Sequence, residues 1–172
     1  MKLKIIFIIL LFTNISLAED FKFNKIITLN EPWGSTFING DQILITEKGG
    51  KIKLINIEKK EIKLIDHNLN FLEYGQGGLL DIIYRDKVVW VSYTENRGNW
   101  KTSTSIAKGL FDEENIKFEN IFQANPPIDS GYHFGSRLAI KDNYLFASAG
   151  ERGKGMIAQD ASKHPGTHYK NS

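Results

Sequence analysis

Residues 75–93 read GQGGLLDIIYRDKVVWVSY, and this stretch decides the fold class. A glycine-rich turn leads into a short apolar strand, Gly78–Tyr84, which a polar turn joins to a second strand, Val88–Tyr93. Short apolar runs separated by turn residues are typical of antiparallel β structure. Two further strands, at Thr102–Leu110 and Lys117–Phe122, complete a predicted unit of four strands.

The same order of elements occurs on both sides of this unit. Units begin at blocks that contain glycine, and the glycines Gly34, Gly77 and Gly135 of these blocks are 43 and 58 residues apart. Four short strands in 40–50 residues are typical of a β-propeller blade. The other predicted strands are Phe21–Leu29, Gly34–Ile38, Gln42–Thr46, Lys51–Ile57, Glu61–Ile65, Ser136–Ile140 and Tyr144–Ser148.

The pattern therefore predicts an all-β protein, a β-propeller of which about two and a half blades are present. Propellers usually close with about 4–8 blades, so we expect an incomplete ring. In a complete ring, Phe21–Leu29 would be an outer strand that pairs with the last blade.

The first 18 residues read MKLKIIFIILLFTNISLA and have the features of a signal peptide. Two lysines precede an apolar run, and small residues at Ser16 and Ala18 fit a cleavage site before Glu19. The run of eight apolar residues is much shorter than the roughly 20 that span a bilayer. We expect the mature chain to be periplasmic or secreted, with no membrane span.

Composition excludes several classes of function. The sequence contains no cysteine, so disulfides, thiolate metal sites and thiol catalysis are impossible. Without residues 1–18, basic and acidic residues number 20 each, so the positive charge that marks a nucleic-acid-binding domain is absent.

Two residues are candidates for chemistry, His133 and Gln76. His133 lies in a loop that enters a predicted inner strand, where its imidazole could accept a proton from an alcohol; alternatively, it hydrogen-bonds the loop backbone. Gln76 lies among three glycines and could contact a planar polar ligand through its carboxamide, or it could simply belong to a tight turn. Because they occupy equivalent loops of consecutive blades, we expect both at one mouth of the propeller.

Several ordered blocks resemble the glucose/sorbosone dehydrogenase family over roughly residues 30–166. The blocks are Pro32-Trp33-Gly34, Leu44-Ile45-Thr46-Glu47, Gly50-Lys51-Ile52, Gly75-Gln76-Gly77-Gly78-Leu79-Leu80-Asp81, His133-Phe134-Gly135-Ser136-Arg137-Leu138, Gly150-Glu151-Arg152-Gly153 and Ala158-Gln159-Asp160. The resemblance implies a six-bladed β-propeller: a soluble periplasmic quinoprotein that uses pyrroloquinoline quinone (PQQ) and calcium to oxidise an aldose.

The resemblance also implies roles for the two candidates. His133 would be the general base that takes the proton of the sugar's C1 hydroxyl while hydride passes to PQQ and a lactone forms. Gln76 would contact the cofactor. Tyr132 stands where glucose-oxidising members have an aspartate, which leaves the identity of the sugar open. The identity of the electron acceptor is open as well.

We divide the chain into a signal peptide (1–18), the propeller part (19–166) and a tail (167–172) that departs from the family pattern. No metal ligand can be assigned, because the calcium ligands and most cofactor-holding residues of the family have no counterpart in this sequence. We therefore expect the chain on its own to lack dehydrogenase activity.

Other interpretations remain open at this point. A non-catalytic secreted β-propeller that binds carbohydrate or protein would have the same strand pattern. A glycoside hydrolase would need two paired carboxylates, and nothing in the sequence pairs any of the candidates. The sequence also predicts that Arg137 either binds an anion or, as we favour, forms an ion pair with Glu151. Trp33, Trp90 and Trp100 could stack on a sugar, but Trp33 and Trp90 fall in strand patterns, which favours core positions for these two. The carboxylate candidates are Asp66, Glu73, Asp81 and Glu95.

Overall fold

A computed structural model describes residues 22–160, and nearly all of its regular structure is β-strand. The predicted signal peptide and the tail lie outside the described residues. The elements are β1 (Pro32–Phe37), β2 (Gln42–Glu47), β3 (Lys51–Asn56), β4 (Glu61–His67), β5 (Leu79–Arg85), β6 (Val88–Asn96), β7 (Thr102–Leu110), β8 (Asn115–Ile116), β9 (Glu119–Gln123), β10 (Gly135–Lys141), β11 (Tyr144–Ala149) and the helix α1 (Gly155–Gln159).

The strands form three sheets in chain order. Sheet 1 has the order β1-β2-β3-β4-β8, sheet 2 the order β5-β6-β7-β9, and sheet 3 consists of β10 and β11. All neighbours are antiparallel except β4 and β8. The predicted all-β architecture of two four-stranded units and half of a third is confirmed, and the three sheets do not close a ring among the described residues.

The antiparallel order gives the sheets two different ends. The first strand of each sheet starts at one end, which we call the mouth, and the hairpin turns after β1, β5 and β10 lie at the other, which we call the turn end. The mouth comprises the connections at residues 48–50, 68–78, 97–101, 124–134 and 150–154. The candidate residues Gln76 and His133 both lie there.

The core lies mainly between sheets 1 and 2. Contact between the sheets is close, because a Cβ added to Gly34 of β1 would lie 2.7 Å from the carbonyl oxygen of Leu80 in β5. Hydroxyl groups also bridge neighbouring sheets: Ser92 donates to the carbonyl of Ser136 at 2.7 Å. Buried side chains of this core are Leu44, Ile52, Leu54, Ile65, Leu79, Ile82, Val89, Val91, Tyr93, Ala107, Ile116 and Phe118.

The connection between β7 and β9 returns to sheet 1. Its two-residue strand β8 pairs in parallel with the end of β4, Asp66 opposite Asn115 and His67 opposite Ile116. The side chain of Asn68 accepts from the Phe118 amide at 2.7 Å and donates to its carbonyl at 3.1 Å. Sheet 1 is thus tied to a segment that belongs in sequence to the second unit.

Residues 22–29 form no strand, because none of the described residues supplies a partner for their backbone, and Phe23 is 94% exposed. The pairing of Phe21–Leu29 with the last blade of a complete ring stays a prediction. Two predictions about tryptophan side chains are wrong. Trp33 is 49% exposed, since the opposite face of β1, with Gly34, is the one packed on β5. Trp90 is only half-buried.

Candidate functional site

The loop that carries His133 is fixed by a buried arginine. Arg152, only 4% exposed, donates to the carbonyl of Tyr132 at 3.1 Å and to that of Ser130. It also donates to the hydroxyl of Thr102 at 2.6 Å and stacks on the ring of Phe134 at 3.8 Å. Removal from water lowers the pKa of this guanidinium to about 10, so it stays charged at neutral pH. A single cation therefore fixes the loop on both sides of His133.

Gln76 and His133, 57 residues apart in the sequence, are in direct contact. The backbone amide of His133 donates to the Gln76 side-chain oxygen at 2.9 Å, and the Gln76 amide donates to the carbonyl of Gly131 at 2.7 Å. The first loop therefore positions the second, and both candidate side chains lie at the mouth.

Glycines make this contact possible because the loop backbones touch. A Cβ on Gly75 would lie 2.4 Å from the carbonyl oxygen of Gly131, and one on Gly150 would lie 1.9 Å from that of His133. Such distances leave no space for any side chain. Gly75 also has a φ of 60°, which favours glycine.

The imidazole of His133 contacts a carboxylate. Its Nδ1 is in hydrogen-bonding contact with Oε1 of Glu151, and the His133 side chain is 52% exposed. The hydrogen bond from His133 holds the pKa of the Glu151 carboxyl below its ordinary value of 4.5. His133 also has a φ of 48°, a left-handed backbone conformation that Asn, Asp and His adopt more often than other non-glycine residues.

Arg137 does not pair with Glu151, so this one of the two predicted alternatives for Arg137 is wrong. Its Nη1 lies 3.3 Å from Oδ1 of Asp81 in β5, and the same carboxylate accepts from the amide of Leu138 at 2.8 Å. Glu151 pairs with His133 instead. Asp81 is 4% exposed, and its carboxylate already bonds Arg137 and the Leu138 amide between sheets 2 and 3. It is therefore no candidate for paired-carboxylate catalysis.

Glu151 and Arg152 were not predicted as partners of the His133 loop. Both lie in the glycine-flanked block 150–153, but the loop that such a block contacts depends on the packing of sheet 3. Among residues 22–160, no three His, Cys, Asp or Glu side chains lie together as a metal site would require. No described helix has the length and apolarity to cross a membrane.

Known proteins are similar to this chain in sequence and in fold. The family model for Glucose / Sorbosone dehydrogenase matches residues 29–170. The chain is similar to aldose sugar dehydrogenase YliI of Escherichia coli (strain K12), with 30% identity over 148 residues that cover 80% of this chain and 40% of that protein.

Solved structures of sugar dehydrogenases are also similar to this chain. The apo form of the soluble aldose sugar dehydrogenase from Escherichia coli aligns with a TM-score of 0.71 at 29% identity, over 77% of this chain and 41% of that one. The PQQ-bound aldose sugar dehydrogenase from Streptomyces coelicolor, at 23% identity, has a TM-score of 0.68 over 77% and 42%, which shows a common fold. The chain spans about 40% of the length of these relatives.

Proposed function

The chain belongs to the glucose/sorbosone dehydrogenase family, and on that basis we propose that its residues act in a periplasmic quinoprotein that oxidises the C1 hydroxyl of an aldose sugar to the lactone. The observation that carries the proposal is the pair formed by His133 and Glu151 at the mouth, in which the imidazole is half-exposed and its loop is held from both sides. The curated relative YliI is named an aldose sugar dehydrogenase.

The pair is suited to removing a proton from an alcohol. A carboxylate at Nδ1 favours the tautomer that carries its proton on Nδ1, so Nε2 keeps its lone pair and can accept. Glu151 also stabilises the imidazolium that forms. In the proposed reaction, Nε2 takes the proton of the C1 hydroxyl, a C1–O double bond forms, and the C1 hydrogen leaves with its electron pair.

Gln76 is the described residue that fits a quinone cofactor. Its side chain is exposed between glycines, and a carboxamide can both donate to a carbonyl oxygen and accept from a ring N–H. When bound, PQQ supplies the hydride acceptor, and the role of this chain's residues is to hold it over C1. The described residues do not fit calcium, since they offer no cluster of carboxylates, and no step is assigned to it.

Histidine NMR of the purified chain tests the role of His133. We expect an aldose with a free C1 hydroxyl to shift the His133 imidazole resonances, assigned with His133→Asn, while the 1-O-methyl glycoside shifts them much less. Glu151→Gln should weaken the response by changing the tautomer. His67, whose ring bonds the carbonyl of Gly50, is the internal control. Equal shifts at both histidines, or none with any aldose, would contradict the proposal.

Turnover is a separate measurement. General-base catalysis contributes about 10²–10⁴-fold, and hydride transfer also needs a firmly held quinone. We therefore expect the purified 172-residue chain not to reduce a dye when supplied with PQQ, calcium and an aldose. Cofactor-dependent turnover that His133→Ala abolishes would overturn this expectation and support the role of His133.

A further inference from the structure

Asn39 lies at the turn end, in the short loop 39–41 that joins β1 to β2. It is the only asparagine of the sequence that is followed directly by a glycine. Both Asn39 and Gly40 are exposed, and a Cβ added to Gly40 would meet nothing within 4 Å. The space on the C-terminal side of the Asn39 side chain is therefore open.

The side-chain amide of Asn39 is held by backbone donors. Its Oδ1 accepts from the amides of Asp41 and Gln42, each at 2.9 Å, and its Nδ2 donates to Oε1 of Gln42 at 2.8 Å. Two N–H groups aimed at one carbonyl oxygen polarise the carbonyl and stabilise negative charge that develops on it. The Cγ atom of Asn39 is therefore open to attack by a nucleophile.

The backbone nitrogen of Gly40 is the nucleophile that the chain places next to this carbonyl. The amides of Ile38, Asp41 and Gln42 each donate a hydrogen bond, but within the part of the chain that the structure describes no group accepts one from the Gly40 amide. Glycine also leaves the backbone free to rotate as a ring closes. An unbonded nitrogen thus adjoins a polarised carbonyl.

We propose that Asn39 is a site of spontaneous covalent modification, at which the folded chain converts asparagine to aspartate and isoaspartate. The Gly40 nitrogen forms a bond to Cγ, the bond between Cγ and Nδ2 breaks, and Nδ2 leaves as ammonia with the proton of the Gly40 amide. Water then opens the cyclic imide. Opening at the side-chain carbonyl gives aspartate, and opening at the backbone carbonyl gives isoaspartate. No residue of the mouth takes part, so the inference is independent of the proposed function.

The two products should affect the hairpin differently. Aspartate keeps an oxygen in the place of Oδ1, so the loop is retained. Isoaspartate adds one carbon to the main chain between Ile38 and Gln42, whose backbone hydrogen bond of 2.9 Å closes the hairpin. The strand β1 also contacts β5, where the hydroxyl of Thr36 accepts from the Tyr84 amide at 3.1 Å. We therefore expect isoaspartate to loosen β1.

Peptide mapping by mass spectrometry, after incubation of the folded chain at mildly alkaline pH, tests the site. We expect the peptide that contains residue 39 to gain one mass unit and to separate into two forms, of which an isoaspartyl methyltransferase labels one. Gly40→Ala places its methyl group in open space, so it should fold and should slow the reaction about tenfold. Asn143 is the internal control, because it is exposed in the turn after β10 but precedes Tyr144, and it should stay unmodified.

The chain unfolded in urea is the reference for the effect of the fold. If the unfolded chain is modified at residue 39 and the folded chain is not, the bonds to Asp41 and Gln42 protect Asn39 and the proposal is overturned. Equal rates in Gly40→Ala and the unchanged chain, or equal modification of Asn143, would overturn it as well. Modification at Asn39 in the folded chain that Gly40→Ala slows supports it.

A stability measurement tests the assigned consequence. We expect the isoaspartate form to unfold at a lower urea concentration than the Asn39→Asp variant, which carries the other product. If the two unfold together, the lengthened main chain does not loosen β1, and that part of the inference is wrong.

Discussion

The two ends of the sheets are built differently. At the turn end, hairpins are short and cross-links are exposed: Arg85 donates to the carbonyl of Asp142 at 3.0 Å from a half-exposed side chain. At the mouth, a buried guanidinium and glycine-to-backbone contacts hold three connections together. Strand pairing alone determines the structure of the turn end, whereas the structure of the mouth depends on contacts of side chains from distant parts of the sequence. The mouth is therefore where single substitutions should have large effects.

The largest effect expected is that of Arg152→Leu. It leaves the carbonyl of Tyr132 without its donor, removes one of the two donors of the Ser130 carbonyl and removes the stacking on Phe134. Unsatisfied buried acceptors are costly, so we expect a loss of about 3 kcal/mol in the free energy of unfolding, measured by urea denaturation.

Arg85→Leu is the matched change at the turn end. Its carbonyl acceptor and its partner Asp86 remain in water, so we expect a change within about 0.5 kcal/mol. If the two substitutions cost the same, the contrast between the ends is wrong.

We expect Gly150→Ala to have the second-largest effect on the free energy of unfolding. The added methyl group would lie 1.9 Å from the carbonyl oxygen of His133, so either the loop or sheet 3 must move. Overpacking of this kind typically costs about 1–3 kcal/mol, and the His133 NMR signals should shift. Gly40→Ala, at the turn end, meets nothing within 4 Å and should change stability by less than about 0.5 kcal/mol. A stable Gly150→Ala protein with unshifted His133 signals would refute the close contact.

The smallest effect concerns acid pH. The pKa of Glu151 is lowered in the folded protein from 4.5, so its contribution to stability is fully present above pH 4.5 and is lost as the pH falls through the folded value. We expect the His133 imidazole signals to show a titration step below pH 4.5 that is absent in Glu151→Gln. Histidine NMR across the acid range measures it. A step of the same size in the variant would assign it to another carboxyl.

Most of the fold is predictable because strand pairing is local. The ladder from Val88 to Leu110 joins strands that follow each other in sequence, and alternating residues identify their buried faces. The segment 22–29 has an equally strand-like composition, but a strand exists only with a partner, and composition does not report partners. The strand β8 was not predicted, because two residues carry no periodicity and their pairing with β4 is non-local.

The sequence predicts at which end of the sheets the candidate residues lie, but it does not predict which side chains contact each other there. His133 and Gln76 are expected at one mouth because their loops are equivalent in the repeat, and equivalence predicts which end of a sheet a residue occupies. Glu151 was assigned to Arg137, a neighbour in the same predicted blade. Arg137 instead faces Asp81 of the preceding sheet, because the polar partners of sheet 3 are decided by packing between sheets.

The pairing of β8 with β4 has a consequence for the order of unfolding. Because residues 115–116 leave the second unit to complete the first sheet, neither sheet can detach while the other keeps all its backbone hydrogen bonds. The core amides of both sheets should therefore exchange with solvent deuterium in one concerted opening, with equal protection. Sheet 3 shares no strand pairing with either of these sheets among the described residues and is bonded to sheet 2 through side chains such as Ser92 and Asp81, so we expect its amides to exchange in a separate opening.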